Sequence, residues 1–185
     1  SEIRHKNNKI ESVVIRNGQN FQDLKSDQFI STIPLTELVA IMNPVVPDSI
    51  IRAAGNLKYR AIICVFLLVN KEKITDDTWI YFPEKEIIFS RVTEPKNWSK
   101  ESVPDEGRTS LCCQIFCNQD DPAWNTESRK LADQCILALS KIGFLRPEEV
   151  ADYFVERIPY AYPIFQIDYQ INLKEVNEFL AQFKN

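Results

Sequence analysis

Arg91, Arg157, Tyr160 and Tyr162 are the side chains of this sequence best equipped to hold a ligand. A guanidinium offers a planar fork of N–H donors that fits a carboxylate or phosphate, and a tyrosine offers an apolar ring with a hydroxyl tip. Lys58 and Arg60 add cations beside predicted strands, and Trp79 and Tyr169 add aromatic walls. The chemistry to expect is therefore capture of an anion in an aromatic-walled pocket, with strand-edge charges and core-edge aromatics as the competing reading. Histidine chemistry has almost no material. The one histidine is His5, expected to be mobile beside the N-terminus, so a Ser-His triad, a Cys-His dyad or a His-based metal site would all depend on it.

The other reactive types point the same way. Cys64, Cys112, Cys113, Cys117 and Cys135 all lie in apolar segments, and an odd count there reads as reduced core thiols of a cytoplasmic protein. Cys112-Cys113-x-x-x-Cys117 lacks metal-site spacing, and adjacent strand residues point to opposite faces, so no metal centre is expected. The chain has four glycines, each more than ten residues from the next, which excludes a phosphate-cradling glycine loop. The acidic pairs Asp76-Asp77, Asp120-Asp121 and Glu148-Glu149 sit in turn or helix-start contexts and read as solvated caps. A net charge of −4 argues against a nucleic-acid partner, and no apolar run reaches the roughly 18 residues of a membrane span. The first ten residues lack the apolar core of a signal peptide.

The elements that must position these residues form an α+β pattern: a mainly antiparallel sheet covered by helices, with a small N-terminal β-meander. The central stretch is Thr78 to Val92, in which Trp79–Phe82 and Ile87–Val92 flank Pro83-Glu84-Lys85-Glu86 as a hairpin with a loop of about four residues. Ala61–Val69 is continuously apolar and predicts a central strand covered on both faces. Thr109–Cys117 predicts another strand, with Leu111, Cys113, Ile115 and Cys117 on one face. The meander runs through Lys9–Arg16, an Asn17-Gly18 type I′ turn and a closing strand at Asp27–Ile33. Helices are predicted after Pro34, over Ser49–Ala54 with Asp48 as cap and Gly55 as the left-handed stop, over Glu127–Ile142 capped by Thr126 and stopped by Gly143, and after Asn172 with Glu175. Thr93–Arg108 reads as a long loop. Asp152–Ile158 alternates as a strand that Pro159 and Pro163 should break.

Four stretches, in order, resemble the middle portion of FAD-dependent amine-oxidase-like flavoproteins: Ile30-Ser31-Thr32-Ile33-Pro34-Leu35; Leu57-Lys58-Tyr59-Arg60; Trp79 to Pro83 with Phe89 to Pro95; and Tyr160-Ala161-Tyr162-Pro163. The nearest likenesses are to protoporphyrinogen-oxidase-like proteins and UDP-galactopyranose mutases. The resemblance implies a division at residue 34, with 1–34 a β-meander belonging to the FAD domain and 35–185 a substrate-binding domain. It implies Thr32, Ile33 and Pro34 beside the cofactor, Tyr160 and Tyr162 in the substrate pocket, and Arg91 and Arg157 on an anionic group of a small-molecule substrate.

In that family both chain ends build the FAD domain. The expectation is therefore a middle piece, inactive alone, with FAD bound only in the complete protein and an exposed docking face for the missing FAD-domain segments that could also pair two copies. A sugar-nucleotide mutase domain and a non-enzymatic binding or interaction module are the alternatives.

Overall fold

The computed structural model describes residues 1–103 and 105–185. Two compact units divide the chain: residues 1–58 with 163–185, and residues 59–162. The boundary expected at residue 34 thus falls inside the first unit.

The first unit carries a four-stranded sheet in the order β3-β2-β1-β4 and three helices. β1 (Glu2–Lys6) and β2 (Lys9–Asn17) are joined by Asn7-Asn8, both with positive φ (51° and 57°), the type I′ geometry that asparagine tolerates. No strand was expected before Lys9. His5 therefore lies in a strand, its Nε2 2.9 Å from the Pro44 carbonyl oxygen and its ring edge-on to Phe183. In the next hairpin Asn17 pairs with Asn20, so the two turn residues are Gly18 and Gln19, and Gly18 alone has positive φ, as a type II′ turn requires. That two-residue turn fixes β3 as Asn20–Leu24, while 27–33 is irregular and not the expected third strand. α1 (Leu35–Ala40) begins after Pro34, and β4 (Met42–Asn43) runs parallel to β1.

α2 (Asp48–Asn56) is preceded by Pro47 and includes Gly55 in right-handed conformation; the chain passes straight into extended backbone at Leu57, so no left-handed stop is needed. α4 (Tyr169–Leu180) starts one position after Asp168, and Asn172 lies inside it, donating from Nδ2 to the Asp168 carbonyl. The core is built by Ile3, Ile10, Val39, Met42, Ile50 and Val176 with their neighbours.

The second unit is organised on a five-stranded sheet, β6-β7-β8-β5-β9, formed by β5 (Lys58–Val69), β6 (Trp79–Tyr81), β7 (Arg91–Thr93), β8 (Thr109–Cys117) and β9 (Val150–Ile164). β5 is central, as its apolar run predicts. Its odd-numbered residues, with Leu111, Cys113 and Ile115, pack under Leu131, Ala132, Cys135 and Leu139 of α3 (Ser128–Lys141). On the other face Ile62, Cys64 and Cys112 pack with Phe66, Phe116 and Ala161 of the sheet itself, so α3 covers β5 on one face and not on both as its apolar run suggests.

The central hairpin exists, but its connection is nine residues long. Ile87, Ile88 and Phe89 are not strand residues: they fold into the core beside β8, with Phe89 fully buried. β9 runs unbroken through Pro159 and Pro163, because it is an edge strand with one side free of ladder partners. Thr126 does not cap α3; its hydroxyl donates to the Pro122 carbonyl, and Glu127 is the N-cap residue.

Gly143 (φ +82°) ends α3, with Gly143 N–H on the Ser140 carbonyl and Phe144 N–H on the Leu139 carbonyl. A Cβ there meets no atom within 4 Å, so the backbone angle alone opposes substitution. Gly143→Ala is expected to destabilise by about 1 kcal/mol, measured by urea denaturation.

The 93–108 segment, of which position 104 lies outside the described residues, is tightly held and not a loose loop. Lys96 Nζ donates to three carbonyls, those of Glu72, Glu106 and Arg108, and Asn97 Nδ2 donates to those of Thr75 and Asp77. No described helix is long and apolar enough to cross a membrane.

Candidate functional site

Side chains alternate across a strand, and the register of the five-stranded sheet decides which residues share the face opposite α3. Arg91 pairs with Tyr81 on one side and Gln114 on the other, and Thr93 pairs with Trp79 and Cys112. Phe66 pairs with Cys112, and Cys64 with Gln114. All of these, with Phe116, belong to one face. Arg60 shares the parity of Ile62 and Cys64, and Phe154 joins through a parallel stack on Phe66 with ring centroids 4.4 Å apart. By the parity of Phe154, β9 adds two acids to this face, Asp152 and Glu156.

Arg91 is the centre of this face. Its Nε donates to Gln114 Oε1, and its two terminal nitrogens lie 3.1 Å from the hydroxyls of Tyr81 and Tyr162. The guanidinium carbon sits 5.6 Å from the Tyr81 ring centroid and 5.8 Å from that of Phe116. Partial burial disfavours its charge, but the two tyrosine hydroxyls outweigh that and hold it more firmly protonated than a free arginine. Because each hydroxyl accepts from Arg91, each keeps its own O–H to donate. The arrangement therefore presents a fixed cation and two hydroxyl donors in one place, the donor set that a carboxylate or phosphate accepts.

Of the residues expected to bind substrate, Arg91 and Tyr162 come together. Tyr160 packs edge-on against Tyr59 at 5.4 Å. Arg157 lies on the opposite face, donating to the carbonyls of Trp124 and Thr126 and the hydroxyl of Ser128 at the start of α3, so its N–H groups are occupied by the fold. Lys58 caps α2 through the Gly55 carbonyl, and Tyr169 packs on Phe165, both in the first unit. Trp79 is half exposed and tilts against Trp98 at 5.8 Å. Tyr81, Gln114 and Phe116 also contact Arg91, and the sequence alone did not single them out.

Their signal lay in hairpin register. A four-residue loop pairs Tyr81 with Ile88 and puts Arg91 on the other face; the nine-residue connection pairs Tyr81 with Arg91.

The five cysteines are free and buried. Cys112 is pushed far up by its contact with Cys64 and by burial, and burial likewise raises Cys113, which leaves both as thiols and poor nucleophiles. Among the described residues no group of histidine, cysteine and carboxylate side chains could hold a metal.

Thr32, Ile33 and Pro34 belong to the first unit. Thr32 and Ile33 line an apolar cavity of about 440 Å³ with Ile3, Ile10, Phe29 and Phe183, and Pro34 precedes α1, its carbonyl accepting Leu38 N–H. Thr36 Oγ1, in the first turn of α1, is the one buried side-chain polar atom without a partner among the described residues. These residues can lie against a cofactor, but they do not fit the pyrophosphate of FAD. That group needs a glycine turn feeding a helix N-terminus, whereas α1 and α2 follow prolines, α3 follows Glu127 and α4 follows Asp168.

The sequence profile of the flavin containing amine oxidoreductases matches residues 1–169. No curated protein matches the chain by sequence. Among solved structures, a reduced UDP-galactopyranose mutase superposes with a TM-score of 0.76 at 23% identity, covering 98% of this chain and 38% of that one. A candidate protoporphyrinogen oxidase from Exiguobacterium sp. 255-15 gives 0.64 at 17% identity over 92% of this chain and 38% of that one. Putrescine oxidase bound to putrescine gives 0.61 at 12% identity over 91% and 38%. At these identities the likeness is one of fold, and the chain spans under two-fifths of the length of each of the three.

Proposed function

We propose, from the premise that this chain belongs to the flavin containing amine oxidoreductase family, that it supplies the substrate-binding part of an FAD-dependent oxidoreductase. The observation that carries the reading is the Arg91, Tyr81, Tyr162 and Gln114 cluster on the sheet face opposite α3. In this reading α3 and the core behind it make a rigid back, and the aromatic face in front positions a small anionic substrate against a flavin held by segments outside this chain. In the complete protein a flavin would supply the redox chemistry, and the residues of this chain would bind and orient the substrate and exclude water.

Exposed Phe21, Ile30, Val45, Ile167 and Ile171 in the first unit support a docking surface for those segments, and the same surface could pair two isolated chains. The complete protein is expected to bind FAD near stoichiometrically and to show flavin absorbance, while this chain alone takes up none and is inactive. A complete protein that purifies colourless and takes up no added FAD would overturn the proposal.

A sugar-nucleotide mutase is the second reading, favoured by the higher TM-score of the UDP-galactopyranose mutase structure over the oxidase structures. Turnover distinguishes them: the mutase reading needs reduced flavin and leaves no net oxidised product. A stand-alone interaction module instead predicts little binding of an apolar-surface dye, because its own apolar faces would be covered.

A further inference from the structure

We propose that the aromatic face carries a second ligand station: the cavity at Phe66, Phe154 and Arg108 takes the flat aromatic end of an elongated anionic ligand whose acidic group lies at Arg91. The inference rests on the substrate-face reading and deepens it by naming the ligand class.

The cavity has a volume of about 270 Å³. That is below the roughly 300–1,000 Å³ of sites that enclose a whole small molecule, and it suits one ring of a larger one. Its wall is the Phe66–Phe154 stack, with rings inclined by only 10° and Phe154 half exposed, so a third ring can continue the stack. Leu68, Pro95 and Val103 complete an apolar lining. The polar groups nearby are mostly engaged already: the Thr109 hydroxyl donates to Glu94 and the Ser102 hydroxyl to the Ser99 carbonyl. Ser110 and Arg108 remain at the rim, where they can donate to an acceptor on the ring edge. Arg108 also meets the exposed Asp105 at 3.5 Å, a pair too solvated to hold it.

Spacing links the two stations. Ser110 lines the cavity and Gln114 holds Arg91, and both stand on the same face of β8 four residues apart, which is about 13 Å along a strand. Between them Cys112 is buried under Phe66 and Phe116. On β5 and β8 the middle of the track is therefore apolar, and a polar linker such as a sugar would lose water against those strands without gaining partners there, while the exposed Glu156 of β9 at its side disfavours a second negative charge in the linker. Arg91 at one end and Arg108 at the other match negative charge or acceptors on the ligand. The resulting class is an acid or phosphate ester with a hydrocarbon middle and an aryl end.

The wall is also preformed. Lys96 and Asn97 pin the segment that carries Pro95 and Val103, so little ordering is left for binding.

Calorimetric titration of this chain with phenylhexyl phosphate, hexyl phosphate and cyclohexylhexyl phosphate tests the assignment. The phenyl ester is expected to bind roughly 10- to 30-fold tighter than the hexyl ester, with the saturated ring giving only part of the gain. Phe154→Ala, at a half-exposed edge-strand position, should abolish that gain and leave hexyl phosphate affinity unchanged, while Arg91→Ala weakens all three ligands. Equal affinities for phenyl and hexyl esters, both still dependent on Arg91, overturn the second station and spare the Arg91 reading. A ring gain that survives Phe154→Ala overturns its location. Binding indifferent to Arg91→Ala, or none by any ester, overturns the substrate-face reading and the inference with it.

Discussion

Replacing Arg91 by alanine in the complete protein is expected to raise the substrate KM by about 10- to 100-fold and to leave flavin retention unchanged. The size follows from the worth of a hydrogen bond to a charged group, about 1.5–3 kcal/mol, at roughly 1.4 kcal/mol per tenfold. The direction follows from geometry. Arg91 is held by Gln114, Tyr81 and Tyr162, three side chains from three different strands, so it meets a ligand already oriented. Arg91→Lys keeps the charge but cannot reach three acceptors in a plane, and should recover only part of the affinity. Tyr81→Phe and Tyr162→Phe each remove a hydroxyl donor and leave the ring, so each should raise KM by several-fold only. The measurement is steady-state kinetics with bound flavin read from absorbance in the same samples. An unchanged KM for Arg91→Ala would return the residue to the class of surface charges.

What could be read from the sequence, and what could not, divides along local versus long-range information. β5 was legible as the central strand because Ala61 to Val69 is apolar throughout, but the cover expected on both faces is α3 on one face and side chains of the sheet itself on the other. The end of α3 was legible because Gly143 offers the left-handed conformation cheaply. The aromatic surroundings of Arg91 were legible by type, as those of a guanidinium in a strand among tyrosine and phenylalanine rings. The pairing of Arg91 with Tyr81 was not, because Ile87, Ile88 and Phe89 have strand-forming side chains but serve as core plugs in a long connection, and nothing local distinguishes the two uses. Arg157 misled for a related reason: residue type reveals a cation, while only strand parity on β9 reveals that it faces α3. Pro159 and Pro163 argued against a strand by their missing donors, and an edge position makes those donors unnecessary. The Asn17-Gly18 turn was correct as a hairpin and off by one in register, since the paired Asn17 leaves Gly18 and Gln19 as the turn.

Glu94 is where the largest loss of stability is expected. It is fully buried, and its carboxylate accepts the N–H groups of Ile74 and Thr75 and the hydroxyl of Thr109, at 3.0, 2.8 and 2.7 Å. One side chain thus joins the segment before β6 to the start of β8. Glu94→Ala leaves three donors without an acceptor and a cavity in their midst, a combination that should cost about 3–5 kcal/mol. For a chain of this length that corresponds to a melting temperature lower by roughly 10 °C. Glu94→Gln keeps the shape and one acceptor oxygen but brings an N–H₂ toward existing donors, so it should fall between the two. Thr109→Val added to Glu94→Ala should cost less than it does alone, because the hydroxyl has already lost its acceptor. Thermal unfolding followed by circular dichroism decides the matter. If Glu94→Ala melts within a degree or two of the parent chain, water replaces the carboxylate at no cost and the 93–108 segment is held by Lys96 and Asn97 alone. In that event the Phe66–Phe154 cavity should also keep its affinity for an aryl group in the Glu94→Ala chain, whereas a true latch at Glu94 predicts that stability and ring binding fall together.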